Sequence, residues 1–293
     1  MGKQMIDNQF KSVQDTVVIT YMDKNYEENL YYDFLPTFKL KAGLGCGIIV
    51  LDYGMSDSAV EKVKAFDNVT IVKCLNDASV FTVRYRDIAN MLLNMDGNVN
   101  IIVMDSADIW FQDSIADMVN KKYSKDDRQY ISCVRENRIF GEDEWIDKCM
   151  ANLSQDMYSS VAEAVNGNYV NNSGVIVGKA KSLSSIFQAV YKDICDNGYE
   201  FFGIDQIMLN YELYSSRNHD VVRCELPDEY NFVLVSHKNE YFVDEKEVVR
   251  RKDGRMINVV HNAGGNWREL TRPFKNKYCN SEQYVIENLY KLK

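Results

Sequence analysis

Residues 101–111 read Ile-Ile-Val-Met-Asp-Ser-Ala-Asp-Ile-Trp-Phe, and this stretch is the sharpest local signal in the sequence. The apolar run at its start predicts a buried β-strand that ends in two carboxylates, Asp105 and Asp108. In an open α/β sheet, ligands bind beyond the carboxyl ends of the strands, so both acids are expected to face a ligand. Two carboxylates this close repel each other unless a cation lies between them. The stretch therefore predicts a site for Mn²⁺ or Mg²⁺, with capping of a following helix as the alternative.

The flanking sequence alternates between short apolar runs and longer segments whose apolar residues recur three or four positions apart. This alternation is typical of βαβ units and predicts an α/β fold, with a mainly parallel central sheet flanked by helices. Strands are predicted at residues 16–21, 47–52, 69–72, 100–104, 130–134, 174–178 and 256–260. Helices are predicted at residues 29–41, 56–66 with Ser56 as N-cap, 80–93, within 150–165, and at 182–195 and 205–214.

Composition narrows the class of protein. A chain of 293 residues, 46% of them hydrophobic, is long enough for one large domain. The net charge of -9 argues against a broad surface for nucleic acid or anionic membranes. The seven cysteines occur singly, as expected for reduced thiols in a cytoplasmic protein. No apolar stretch has the length of a signal peptide or a membrane span, so a soluble protein is expected.

Three further segments carry candidate ligand-binding groups. His261 follows an apolar run and precedes Gly264 and Gly265, whose backbone could approach a phosphate closely; a structural histidine is the alternative. Residues 171–173 place two amides and a hydroxyl before a short strand, which suits sugar hydroxyls as well as a turn without a ligand. Asp205 opens a predicted helix and alone indicates only an N-cap or first-turn acid.

Taken in order, these segments resemble family 8 of the glycosyltransferases, which includes bacterial lipooligosaccharide galactosyltransferases and glycogenin. The resemblance runs from about residue 16 to about residue 268, and the ordered set is what makes it specific. Besides the acid motif, the matching segments are Asp23-Lys24-Asn25-Tyr26, residues 49–56, Tyr85-Arg86, residues 172–175, Asp205-Gln206 with Asn210, and His261 with Gly264 and Trp267.

The resemblance implies the GT-A fold of nucleotide-diphospho-sugar transferases and transfer of a hexose from a UDP-sugar to a saccharide or other glycan acceptor, with retention of configuration. It implies one domain over residues 1–293, with a nucleotide-binding half at about 16–130, an acceptor and catalytic half at about 131–268, and a C-terminal appendage at 269–293. Gln206 is expected near the anomeric carbon and Asp205 on the sugar hydroxyls. The implied metal ligands are Asp105, Asp108 and His261. The implied donor-binding residues are Thr20, Tyr21, Asp23, Asn25, Tyr26, Arg86, Asn172, Ser173, Gly264 and Gly265.

Two departures from the family pattern keep other functions open. The acid motif is one residue longer than the family's Asp-x-Asp, so the strand bulges or only one acid ligates directly, with Asp108 the better candidate. The family's lysine between the glycine and the tryptophan is absent. A non-catalytic nucleotide- or sugar-binding homologue therefore remains an alternative. A sugar-phosphate nucleotidyltransferase is a second alternative, although residues 20–24 lack the glycine and arginine that its first loop requires.

Overall fold

A computed structural model describes residues 16–120, 129–215, 217, 221–246 and 248–263. The predicted ligand residues Gly264 and Gly265, the matching Trp267 and the predicted appendage lie outside the described residues. The described strands are β1 Thr16–Met22, β2 Gly47–Asp52, β3 Val69–Lys73, β4 Asn100–Met104, β5 Ile109–Phe111, β6 Tyr130–Ile139, β7 Tyr169–Lys179, β8 Val222–Leu226, β9 Phe232–Val233, β10 Tyr241–Val243, β11 Val249–Arg251 and β12 Val259–His261. The longer helices are α1 Leu35–Lys41, α2 Asp57–Lys64, α3 Val80–Leu92, α4 Ala116–Asn120, α5 Glu144–Met150, α6 Gln155–Val165, α7 Ala180–Asp196 and α8 Ile204–Tyr214.

The central sheet has seven strands in the order β3-β2-β1-β4-β7-β6-β8. Four of its six pairings are parallel and the two that involve β7 are antiparallel, so the predicted mainly parallel sheet is confirmed. The chain runs outward from β1 to β3 and then returns to place β4 on the other side of β1. That reversal creates a crevice at the carboxyl ends of β1 and β4, the usual place for a ligand in an open α/β sheet.

Both faces of the sheet are buried. On β1, Val17 and Ile19 belong to one hydrophobic cluster and Val18 to another, as expected when successive side chains point to opposite faces. Helices α3 and α7 pack together on the first face, whereas α1 and α2 cover the second. Because both faces are covered, these strands read as nearly continuous apolar runs.

The helix predicted at residues 29–41 is interrupted. It begins with a short α-helical turn at Glu27–Asn29, continues as a π-helix at Leu30–Phe34 and ends as α1. Pro36 follows the π-helical turn directly and has no N–H group to donate to the preceding turn; just before it, the Leu35 N–H donates to the Leu30 carbonyl with π-helical spacing. The hydroxyl of Thr37 donates to the Asp33 carbonyl at 2.6 Å and accepts from the Phe111 N–H at 3.1 Å. This contact ties the helical segment to the strand that follows the acid motif.

A second sheet of three strands, in the order β5-β12-β9, joins the strand after the acid motif to two strands from the second half of the chain. The sequence patterns did not predict β5 or β9, because strands of two or three residues are too short to show a period. The final predicted strand, at residues 256–260, is observed as β12, which begins three residues later and ends one residue later, on His261. The predicted N-cap is confirmed, since the Ser56 hydroxyl accepts from the Ala59 N–H at 3.2 Å.

Six cysteines belong to the described residues, and each is a free thiol. Across that same part of the chain, none of the helices combines the length and the apolar character needed to cross a membrane.

Candidate active site

The longer acid motif is accommodated in a loop. Strand β4 ends at Met104, residues 105–108 form the loop, and β5 begins at Ile109. Hydrogen bonds hold this loop: the Ser106 hydroxyl donates to the Tyr21 carbonyl at 3.0 Å, and the Asn29 amide donates to the Ala107 carbonyl at 2.5 Å. Since a strand follows the acids, the alternative that they cap a following helix is wrong. The strand does not need to bulge, because the extra residue lies beyond its end.

Strand β12 brings the histidine to the acids. His261 pairs with Ile109 on β5, and the Asn262 N–H donates to the Asp108 carbonyl at 3.0 Å. The imidazole lies against Gly174 of β7, where a β-carbon would come within 2.2 Å of its Cε1 atom. A glycine is therefore required at position 174 for the ring to occupy this place.

Asp105, Asp108 and His261 form a compact cluster, in which one potential ligand atom from each residue lies within 4.8 Å of the others. His261 Nε2 lies 3.3 Å from Asp108 Oδ1 and 4.0 Å from Asp105 Oδ2. Within the described residues, Asp108 Oδ1 is buried and accepts no well-formed hydrogen bond, so its approach to the imidazole is an ion-pair contact. Two carboxylates and an imidazole suit Mn²⁺ or Mg²⁺, whose ligand atoms lie about 2.0–2.2 Å from the ion. These residues fit a divalent ion.

The cluster favours a positive charge even without a metal ion. Burial raises the pKa of Asp105 to about 6; the Arg84 guanidinium opposes this rise and the Asp108 carboxylate adds to it. Burial lowers the pKa of His261, but the carboxylates of Asp108 and Asp105 outweigh burial and raise that pKa above its ordinary value. A proton on the imidazole and a bound cation therefore compete for the same three groups.

Arg84 links the cluster of Asp105, Asp108 and His261 to the start of helix α8. Its guanidinium group donates to Asp105 Oδ1 at 2.8 Å and to Asp205 Oδ2 at 2.5 Å, and its side chain is 3% exposed. The Tyr21 hydroxyl also donates to Asp105 Oδ1. Both groups donate to the same carboxylate oxygen, so the other oxygen, Asp105 Oδ2, faces Asp108 and His261.

The amide-rich segment of β7 meets the start of α8. Asp205 lies in the first turn of this helix, two residues after the N-cap Gly203, which has a positive φ of 91°. The Ser173 hydroxyl lies 3.4 Å from both Asp205 Oδ2 and Gln206 Oε1. Gln206 Nε2 donates to the buried Glu136 carboxylate at 3.1 Å. Residues separated by more than 30 positions in sequence thus form one polar surface.

A cavity of about 950 Å³ opens over this surface, large enough for a nucleotide sugar. Most of the predicted site residues line it. These are Tyr21, Asp23, Asn25, Tyr26, Asp105, Asp108, Asn172, Ser173, Asp205, Gln206 and His261.

Two predicted donor-binding residues do not line the cavity. Thr20 is fully buried in the sheet and donates to the Met104 carbonyl at 2.8 Å. The Arg86 side chain does not reach the cavity and pairs with Asp87 and Asp77. The arginine that the structure brings to the site is Arg84, which the sequence reading missed.

The sequence feature that could have identified Arg84 as a site residue is its position on α3. It lies four residues before Ile88, on a side of the helix that is buried, where a lone cation requires an acidic partner. Sequence reasoning also missed Glu136 in the second half of β6 and Asn231 before β9. The strand pattern of β6 gives a weak signal for Glu136, which follows the buried positions Ser132 and Val134 at a spacing of two. No local pattern marks Asn231.

Solved structures with the same architecture include two of the galactosyltransferase LgtC. One is its complex with donor and acceptor sugar analogues, at 15% sequence identity and a TM-score of 0.57, covering 92% of this chain and 98% of that chain. The other is an active-site mutant, at 14% identity and a TM-score of 0.58, covering 94% of each chain. The chain has the GT-A glycosyltransferase fold.

A third structure with this GT-A fold is the bifunctional glycosyltransferase WbbM without ligand, at 16% identity and a TM-score of 0.59. The match covers 96% of this chain and 52% of that chain. No protein-family model matches the sequence, and no curated protein matches it significantly. At these identities the solved structures establish the fold, and function must be argued from the residues of the cavity.

Proposed function

We propose that the protein is a metal-dependent glycosyltransferase that moves a hexose from a UDP-sugar to a saccharide or other glycan acceptor. One observation carries this proposal: the cluster of Asp105, Asp108 and His261 lines the same cavity as Asp205 and Gln206. A cation site beside a polar surface of carboxylate and amide groups is the arrangement that a nucleotide-diphosphate sugar requires. LgtC, which shares the fold, was solved with donor and acceptor sugar analogues bound.

Within this proposal, the half at about 16–130 supplies most contacts to the nucleotide, and the half at about 131–268 supplies most contacts to the sugar and the acceptor. Asp23, Asn25 and Tyr26 follow β1 at the cavity wall, where they would contact the uracil and ribose. The cluster of Asp105, Asp108 and His261 would hold Mn²⁺ or Mg²⁺, which stabilises the negative charge of the departing diphosphate.

The proposal assigns the groups at the start of α8 to the transferred sugar. Arg84 and Ser173 contact Asp205 Oδ2, so the carboxylate is held in one orientation with Oδ1 left for sugar hydroxyls. Gln206 presents its amide beside this carboxylate and is assigned to the anomeric centre. The resemblance to family 8 implies retention of configuration, which the anomeric NMR signal of the product tests.

The first test of this function is UDP release from UDP-hexoses. Purified protein with Mn²⁺ is expected to release UDP from at least one member of a panel of UDP-glucose, UDP-galactose and their N-acetyl derivatives, and EDTA is expected to stop the release. Saturable UDP binding without release from any sugar would favour the non-catalytic alternative. The absence of any UDP binding would contradict the donor assignment.

We expect the affinity for Mn²⁺ to rise with pH. Burial raises the pKa of Asp105 to about 6, and the neighbouring carboxylates raise the pKa of His261, so below these values protons occupy the ligand atoms. Deprotonation of Asp105 alone predicts binding about tenfold stronger at about pH 7.5 than at about pH 5. Electron paramagnetic resonance of free Mn²⁺ measures this change without UDP. An affinity that does not vary over this range would show that the metal binds elsewhere.

An aromatic group at the mouth of the cavity supports an assignment for the acceptor. Phe202 and Phe81 are 64% and 41% exposed, and their rings meet edge to face at 5.7 Å. Trp145 lies 6.2 Å from Phe202, and all three rings line the cavity. Phe202 precedes Gly203, and a β-carbon at residue 203 would lie 3.1 Å from Trp145. Exposed rings beside polar groups suit the apolar face of a sugar ring, so we assign the acceptor to this surface.

We expect Phe202→Ala to weaken binding of the acceptor and to leave binding of the donor unchanged. Loss of one exposed ring at the centre of a contact predicts an acceptor KM about tenfold higher, since about 1.4 kcal/mol corresponds to a factor of ten. The measurement is the stimulation of UDP release by lactose and maltose as probe acceptors. UDP binding and hydrolysis without acceptor are expected to stay unchanged. Phe242→Ala is the control, because Phe242 is 45% exposed and does not line this cavity.

A further inference from the structure

A continuous hydrogen-bonded chain of buried side chains joins the histidine of the metal cluster to the glutamine of α8. From His261 it passes through Asn231, Asn172 and Glu136 and ends at Gln206. Each of these five residues is at most 8% exposed. Hydrogen bonds shielded from water in this way are strong when paired and costly when left unpaired, so their arrangement matters for the site.

The direction of every hydrogen bond in this chain is determined by two groups that have no choice of role. The Gly174 N–H can only donate, and it donates to Asn172 Oδ1 at 2.7 Å. A carboxylate can only accept, and Glu136 Oε1 accepts from Asn172 Nδ2 at 2.7 Å. Asn172 therefore has one possible orientation of its amide.

The fixed orientation of Asn172 determines the tautomer of the histidine. Asn231 Nδ2 donates to Asn172 Oδ1 at 2.8 Å, so Asn231 Oδ1 faces the opposite way, 2.9 Å from His261 Nδ1. An amide oxygen can only accept, and Nδ1 must therefore carry the proton. In the neutral imidazole the lone pair is then on Nε2, the atom that faces Asp108 and Asp105. That is the tautomer that binds a metal ion at the cluster.

Glu136 determines the orientation of the glutamine at the other end. Its Oε1 atom accepts from Gln206 Nε2 at 3.1 Å, so Gln206 Oε1 is turned toward the Ser173 N–H at 3.3 Å. The second oxygen of Glu136 accepts from the Ser236 hydroxyl at 2.6 Å and lies 3.4 Å from Arg138 Nε. The carboxylate is thus held on both sides.

We propose that Asn231 and Glu136 are positioning residues that act through one directed hydrogen-bonded chain, Asn231 by holding His261 as the Nδ1–H tautomer and Glu136 by turning the Gln206 carbonyl oxygen toward Ser173. This inference rests on the proposed metal site and on the proposed role of Gln206. Glu136 accepts hydrogen bonds from both Asn172 and Gln206, so a change at residue 136 reaches both ends of the chain.

The tautomer is measured directly by nitrogen NMR of protein labelled with ¹⁵N-histidine, without metal, at a pH above which the ring-nitrogen shifts of His261 no longer change. The chain has three histidines, and the His261 signals are assigned by their loss in His261→Gln. We expect Nδ1–H in the native protein and in Asn231→Asp, whose carboxylate still accepts from Nδ1. In Asn231→Leu we expect a shift toward Nε2–H and Mn²⁺ affinity lower by about tenfold or more. A native Nε2–H signal, or no change in Asn231→Leu, would overturn the proposal.

The far end of the chain is tested with Glu136→Gln and Glu136→Met. Glutamine keeps an oxygen for both amides and can donate its N–H to the Ser236 hydroxyl, so Mn²⁺ affinity and kcat are expected to stay close to native values. Methionine has a similar volume but no strong acceptor, and we expect both quantities to fall, Mn²⁺ affinity by about tenfold. Equal behaviour of the two variants would rule out the role of Glu136. If Glu136→Met does not fold, the pair Asn231→Leu and Asn231→Asp decides the proposal.

Failure of this inference is distinguishable from failure of the proposed function. Suppose that the native protein binds Mn²⁺ and hydrolyses a UDP-sugar, and that Asn231→Leu keeps the native tautomer and metal affinity. This result would support the proposed function and refute the positioning role of the hydrogen-bonded chain. Native protein that shows neither Mn²⁺ binding nor UDP release would refute the function, whatever tautomer the NMR spectrum shows.

Discussion

Asp108→Ala is expected to lower the affinity for UDP in the presence of Mn²⁺ by about 100-fold or more, equivalent to about 2.7 kcal/mol. Asp108 Oδ1 is the carboxylate oxygen nearest to the imidazole of His261, at 3.3 Å, and alanine removes it without replacing it. The remaining ligands, Asp105 and His261, would hold the ion weakly, and the diphosphate would lose its main counter-charge.

Calorimetric titration of UDP measures this loss, in Mn²⁺ and again in EDTA. Native protein is expected to bind UDP tightly only with Mn²⁺, and the variant is expected to bind weakly in both conditions. Asp113→Ala is the matched control, because Asp113 lies five residues further along the same segment and its side chain is exposed. Equal affinity of Asp108→Ala and the native protein in Mn²⁺ would refute the metal site.

The parts of the fold that the sequence predicts well are those with strong local patterns. The apolar runs of β1, β2 and β4 are long enough to show a buried strand, and the structure places these strands side by side. The position of Asp105 and Asp108 at the carboxyl edge follows from the end of β4, because a residue directly after a strand lies at the sheet edge whatever the later topology.

The predictions that differ from the structure depend on contacts between distant segments. Strand β7 begins at Tyr169, five residues before its predicted start, because its polar residues Asn171 to Ser173 are buried by β6 and α8. Local sequence shows these amides as a turn or a loop. Their burial becomes evident only when Asn210, 39 positions later, donates to the Asn171 carbonyl.

The same reason explains which site residues the sequence revealed. His261 carries a local signal, since it follows an apolar run and precedes glycines. Asn231 carries none, although it contacts His261 across 30 positions and Asn172 across 59. Groups that bind a ligand recur in motifs, whereas groups that orient them are determined by the tertiary structure.

Arg84→Met is expected to destabilise the protein without bound metal by about 3 to 5 kcal/mol, the usual cost of removing one partner from a buried ion pair. Arg84 is 3% exposed and lies between Asp105 and Asp205, so methionine leaves two carboxylates without their shared cation. Urea denaturation measures the change in the free energy of unfolding.

Arg86→Met is the matched control for this substitution. Arg86 lies two residues further along α3 and pairs with Asp77, which is 53% exposed, and with Asp87, which also accepts from the Tyr53 hydroxyl. Asp77 regains water and Asp87 keeps a partner, so the loss of Arg86 is expected to cost less than the loss of Arg84. Equal destabilisation by both substitutions would show that Arg84 has no special role. Loss of UDP binding in Arg86→Met alone would support the donor-binding role that the family resemblance implies for Arg86.

The destabilisation by Arg84→Met is expected to depend on pH and on Mn²⁺ if it comes from the unpaired carboxylates. Arg84 lowers the pKa of Asp105, so in Arg84→Met that pKa rises further above its unfolded value. When the pKa of a carboxyl group is higher in the folded than in the unfolded protein, the free energy of unfolding falls as pH rises through the folded-state pKa. The loss of unfolding free energy in the variant, relative to the native protein, is therefore expected to be larger at about pH 8 than at about pH 5. Mn²⁺ is expected to reduce the deficit, because a cation between Asp105 and Asp108 replaces part of the missing charge. A deficit unaffected by pH and Mn²⁺ would attribute the destabilisation to lost packing.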